Sequence, residues 1–120
     1  MQPLRITESE NTPLIILDKD QNQFIISGKS LIESPNHFFK PVISWITNYA
    51  STPNPTTEIE FKFEYLNIDS AKCILDLLKP LEGNSGSKVI WYFHEEDEDM
   101  EEIGEELAEL VNIPFEFRYQ

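Results

Sequence analysis

The sequence predicts an α/β (α+β) fold: a mixed β-sheet with about three helices packed mainly on one face, in the order βββαβαβαβ. Three observations carry this reading. From Phe38 onward, segments of helical period alternate with segments of period two, and a strand, helix, strand succession permits parallel crossovers. Glu58 to Tyr65 alternates strictly, with Ile59, Phe61, Phe63 and Tyr65 on one side and Glu58, Glu60, Lys62 and Glu64 on the other, so one side of the sheet is expected to be wet. Val89 to Phe93 is apolar at both parities and predicts a central strand.

Each element has its own signal. Leu4 to Thr7, Leu14 to Leu17 and Phe24 to Ser27 read as short strands, and the polar run Asp18 to Asn22 predicts a hairpin between the second and third. Ser34-Pro35 breaks the chain. Phe38, Phe39, Val42, Ile43, Trp45, Ile46 and Tyr49 then recur at helical spacing up to about Ala50. Proline is tolerated in the first turn of a helix and not in its interior, so Pro41 places the start of the regular helix near itself. Ser51 to Thr57 has the composition of a loop. After the alternating strand, Asp69-Ser70 opens a second helix whose stripe of Ala71, Ile74, Leu77, Leu78 and Leu81 ends before Gly83. A third helix from about Asp99 turns Ile103, Leu107, Leu110 and Val111 inward and its glutamates outward. Phe115, Phe117 and Tyr119 alternate with Glu116 and Arg118 in a last strand.

At 120 residues and 40% hydrophobic content, the chain can close one substantial core and hardly two, which predicts a single domain over residues 1–120. The lone cysteine, Cys73, excludes an intramolecular disulfide framework. No signal-peptide pattern and no apolar run of about 20 residues is present, so a soluble, cytoplasmic protein is expected. Nine basic residues against 22 acidic leave a formal charge of −13, which opposes binding to nucleic acid and to anionic membrane. The negative charge is concentrated between Glu95 and Glu109, and no Lys or Arg lies between Lys88 and Arg118. A partner steered by charge should therefore present a basic face.

The inventory for catalysis is poor, and no enzyme activity or cofactor is expected. His37 and His94 lie far apart, and neither belongs to a metal-ligand spacing. Cys73, among Ala71, Ile74 and Leu75, reads as a packed thiol. The four glycines are scattered, which excludes a phosphate-binding glycine loop. Glu95-Glu96-Asp97-Glu98-Asp99 lacks the spaced ligands and turn glycine of an EF-hand loop and suits a solvated turn leading into an acidic first helical turn. A small acidic metal- or ligand-binding protein built on that cluster is the alternative reading.

The junction Tyr65 to Lys72 is more informative, because there a strand ends and a helix begins. Unpaired N–H groups and the dipole at a helix start can hold a phosphate added to a nearby hydroxyl. Equally, Asn67 or Asp69 serves as an N-cap.

Several pieces occur in a characteristic order: Asn11-Thr12-Pro13, Gly28-Lys29-Ser30 followed by Glu33, Phe38-Phe39-Lys40-Pro41-Val42 with Trp45 and Tyr49, Tyr65-Leu66-Asn67 with Ser70, and Trp91-Tyr92 followed by acids through Asp99, Met100, Glu102 and Gly104. Over nearly its whole length the chain thereby resembles the SiaC family of bacterial regulatory phosphoproteins. The resemblance implies a fold akin to the STAS domains of anti-sigma-factor antagonists. It also implies a protein partner, a diguanylate cyclase that the unphosphorylated form binds and activates in promoting biofilm formation, and a kinase and a phosphatase that set the phosphorylation state. The family's Asn-Thr-Ser-Ser segment, with threonine as acceptor, reads Asn67-Ile68-Asp69-Ser70 here. Ile68 cannot accept phosphate. Either Ser70, following Asp69 as in STAS antagonists, is the acceptor, or the switch is lost and Ile68 or the fixed charge of Asp69 sets the state. Ile32 and Ser34 replace the usual proline and asparagine on either side of Glu33. Asn67, Asp69, Lys72 and Glu33 are the candidate partner-binding residues, with Ser70 the candidate phosphorylation site.

Overall fold

The computed structural model describes residues 1–120. The chain runs β1 (Leu4–Ile6), β2 (Leu14–Asp18), β3 (Gln23–Ser30), α1 (Asn36–Ser51), β4 (Thr57–Leu66), α2 (Ile68–Leu78), a 3₁₀ turn (Lys79–Leu81), β5 (Ser87–Phe93), α3 (Glu98–Leu110) and β6 (Phe115–Tyr119). The six strands form one sheet in sequence order, antiparallel across β1, β2 and β3 and parallel from β3 to β6. Each helix is the crossover between neighbouring parallel strands. Because such crossovers share one hand, a sheet that always advances in the same direction collects its helices on one face.

That face holds the core. Phe39, Val42, Trp45, Ile46 and Tyr49 of α1, Cys73, Ile74, Leu77 and Leu78 of α2, and Met100 and Leu107 of α3 join one buried cluster with Ile15, Ile26, Phe61, Phe63 and Trp91 of the sheet. The polar tips of the buried Trp and Tyr side chains are satisfied. The Trp91 indole N–H donates to the Met100 carbonyl at 3.0 Å, the Trp45 indole to the Gln2 carbonyl at 2.7 Å, and the Tyr49 hydroxyl lies 2.6 Å from that of Thr57. The other face carries no helix. There Ile90 is buried between its cross-strand neighbours Glu60 and Glu116, while Lys62 lies over the Tyr92 ring and Lys88 pairs with Glu116. Hydrogen bonds from Lys88 and Arg118 hold the Glu116 carboxyl below its ordinary pKa.

The predicted element order holds, with four local corrections. α1 begins at Asn36, so Pro41 sits in its second turn and not its first. Proline there removes one N–H, and the carbonyl four residues back belongs to His37, which like Pro41 is exposed and can turn to water. β3 runs on to Ser30 and pairs with β4 throughout. Tyr65 does not continue the inward row. Gly28 pairs with Phe63 and Lys29 with Tyr65, so one residue of β4 is bulged out. The bulge reverses the parity: Leu66 turns inward and Tyr65 is 58% exposed. Leu110 is also exposed, and the inward face of α3 is made by Met100, Gly104 and Leu107.

Candidate partner-binding surface

The surface is organised by Asn67, the single residue between β4 and α2. Its extended backbone makes it the N-cap, and its side-chain oxygen accepts from the Ser70 N–H at 2.8 Å. The side-chain amide donates to the Ile32 carbonyl at 3.0 Å, and the backbone N–H donates to the Ser30 carbonyl at 3.1 Å. One side chain thus ties the end of β3, the following loop and the start of α2 together.

The remaining predicted residues gather around this knot. Glu33, Ser34, Pro35, Asn36, Asp69 and Lys72 line a mostly polar depression of about 350 Å³. Glu33, 36 residues from Asp69 in sequence, reaches it because Asn67 anchors its loop. Asp69 lies in the first turn of α2, where a carboxylate suits the dipole.

Positions 68 and 70 have opposite environments. Ile68 is 78% exposed, whereas Ser70 is fully buried and its hydroxyl oxygen accepts from the equally buried Ser30 hydroxyl at 2.7 Å. Cys73, one turn further along α2, is buried with its Sγ 3.4 Å from Asn36 Oδ1. Burial first, then the charges of Asp76 and Asp69, push its thiol pKa up, so the thiolate is disfavoured.

The acidic run lies apart from this knot. Asp97 caps α3 by accepting from the Met100 N–H at 3.0 Å, while Glu95, Glu96, Glu98 and Asp99 face solvent. No three Asp, Glu, His or Cys side chains converge as a metal-ligand group. The arrangement offers a binding surface: a shaped polar depression, an exposed helix start and no paired nucleophile and base.

The sequence model described as SiaC family regulatory phosphoprotein matches residues 6–120. The chain belongs to the SiaC family. Its fold matches SiaC of Pseudomonas aeruginosa with a TM-score of 0.88 at 26% identity, covering 100% of both chains. The crystal structure of diguanylate cyclase SiaD in complex with its activator SiaC, from the same organism, contains a chain matched at TM-score 0.87 and 26% identity, with 98% of this chain and 99% of that one covered. An uncharacterized protein of Pseudomonas aeruginosa is 28% identical over 119 residues, 96% of this chain and 94% of its own. Membership of a family of regulatory phosphoproteins accounts for a site that is rich in surface and poor in catalytic groups. No helix is long and apolar enough to cross a membrane.

Two parts of this surface escape a reading by periodicity. Tyr65 stands exposed beside the helix start with the Lys29 ammonium 5.9 Å from its ring centre. A glycine inside a strand is the signal for such a bulge, and Gly28, at φ +102°, supplies it. The second part is an apolar groove between α2 and α3 that includes Ile68 and Leu110. Its signal is an apolar stripe on α3 wider than one buried face needs.

Proposed function

We propose that this chain is a cytoplasmic, non-enzymatic adaptor that binds a diguanylate cyclase through the surface at the start of α2 and raises its output of cyclic-di-GMP. The observation that carries the proposal is the SiaC-type fold joined to an intact knot at Asn67, which draws Glu33, Asp69 and Lys72 around one depression. The activator in the solved cyclase complex is a structural relative of this chain over nearly its full length.

A kinase and a phosphatase of the SiaC type are the further partners that a phosphoprotein family implies. Of the two readings of the switch, the geometry favours the one in which residue 68 has lost it. An acceptor at 68 would lie on the surface, but isoleucine has no hydroxyl. Phosphate on Ser70 requires the buried pair with Ser30 to open and a dianion to enter the space it leaves. The unmodified chain is then the resting state, and it is competent to bind.

The test mixes the purified chain with a SiaC-type diguanylate cyclase and measures both complex formation and cyclic-di-GMP production. Binding with increased production is expected. Asp69→Lys and Asn67→Ala should each weaken it, the first by repelling a basic partner and the second by releasing the loop that carries Glu33. No complex, or a complex without activation, would contradict the proposal.

A further inference from the structure

Two exposed apolar side chains, Ile68 at 78% and Leu110 at 56%, belong to one feature. Together with Ala71, Leu75, Ile103 and Leu107 they line a groove of about 190 Å³ between α2 and α3. Ile68 is the first residue of α2, and the Lys79 ammonium donates to the Leu110 carbonyl at 3.0 Å, so the two side chains mark the two ends of the groove. The groove exists because α2 packs more closely on α1 than on α3. On α2 its lining runs from Ile68 to Leu75, roughly 10 Å or about two helical turns.

The rims are predominantly acidic, with Lys72 on the α2 side and Lys79 at the Leu110 end as the cations beside them. Glu106 lines the α3 side, and helical spacing sets the exposed Glu102 and Glu109 beside it. On the α2 side the exposed Asp69 and Asp76 flank Lys72, the one cation that lines the groove. An apolar floor between acidic rims complements a helix whose apolar stripe is bordered by lysine and arginine. A second copy of this chain fits poorly, since the exposed residues of α3 other than Leu110 are themselves acidic.

We infer that the groove between α2 and α3 is the docking site for an amphipathic, basic-flanked helix of a partner protein. This rests on the adaptor function proposed above and specifies which part of the surface carries the affinity. It also gives residue 68 a role: isoleucine extends the apolar floor at the place where the family's threonine would receive a charge.

The probes are two synthetic helical peptides with the same leucine stripe at i, i+3, i+4 and i+7, one flanked by lysine and the other by glutamate. Each is titrated into the full chain, with amide-shift mapping and calorimetry. Ile68→Ser and Leu110→Ser leave the charge unchanged and replace exposed residues, so the fold is preserved. The lysine peptide should bind with shifts along α2 and α3, the glutamate peptide should not, and each serine variant should weaken binding about tenfold. Equal binding of both peptides, shifts elsewhere, or serine variants that bind as the wild type would overturn the inference. So would a sedimentation mass of two chains that falls to one in the variants, because it would assign the groove to a second copy. The same variants are then tested against a SiaC-type cyclase. A cyclase that binds wild type and variants alike retains the adaptor reading and overturns the groove. A cyclase that binds neither, with the peptides behaving as expected, overturns the cyclase as partner and retains the groove.

Discussion

At the scale of single residues, the proposed control of the surface turns on Ile68 and Ser70. They lie two positions apart at a helix start, and the helix turns one outward and the other into the core. Ile68→Thr restores a hydroxyl on the exposed side, so with a SiaC-type kinase it should gain one phosphate by intact mass while the wild type gains none. Phosphate on the wild-type chain at Ser70 would contradict the lost switch. The Ser30–Ser70 pair has a structural role in the same account. Ser70→Ala should cost about 1–2 kcal/mol, because it leaves the Ser30 hydroxyl buried without its acceptor. Ser70→Glu should cost several-fold more, because it also forces a charge into a closed site. Thermal melts of the two variants give this order directly, and equal melting temperatures would mean that the site is open. The candidate residues were legible by type but not by environment: the segment Asn67 to Ser70 reads as a cap or as an acceptor site, and only packing tells which hydroxyl is shut away.

At the scale of elements, most of the strands and helices follow from period alone, since each buries one face and shows its alternation plainly. Where the reading failed, two demands met in one segment. β4 alternates through Tyr65 in sequence, but the bulge opposite Gly28 shifts the last two residues by one and turns Tyr65 out. In α3, Met100, Gly104 and Leu107 face the sheet while Ile103 and Leu110 face the groove, so the apolar stripe exceeds the core face and its outer edge was assigned inward. Gly104 is where that helix lies close against the sheet. A Cβ there would stand 2.5 Å from Trp91 Cδ1 and 2.9 Å from Phe117 Cε1, so the missing side chain is what lets α3 lie on the sheet. Gly104→Ala should lower stability by about 1–3 kcal/mol despite its better helix propensity, as measured by chemical denaturation. A stabilised variant would mean that α3 rides higher than described.

At the scale of the molecule, the sheet separates two surfaces. The helix-free face balances its charges, with Lys62 over Tyr92 and Glu116 held by Lys88 and Arg118. The helical side carries the acids of α3 and the start of α2, where the Asn67 knot, the polar depression and the apolar groove adjoin. Composition indicated that a partner would be basic, because ten acids between Glu95 and Glu109 meet no Lys or Arg. It could not indicate where, because the acids had first to be folded beside Ile68 and Leu75. The most direct measurement is cyclic-di-GMP production by a SiaC-type diguanylate cyclase with and without this chain, never exposed to a kinase. Production that rises with added wild-type chain and rises less with Asp69→Lys is the predicted result; production that stays at the level of the cyclase alone would contradict it.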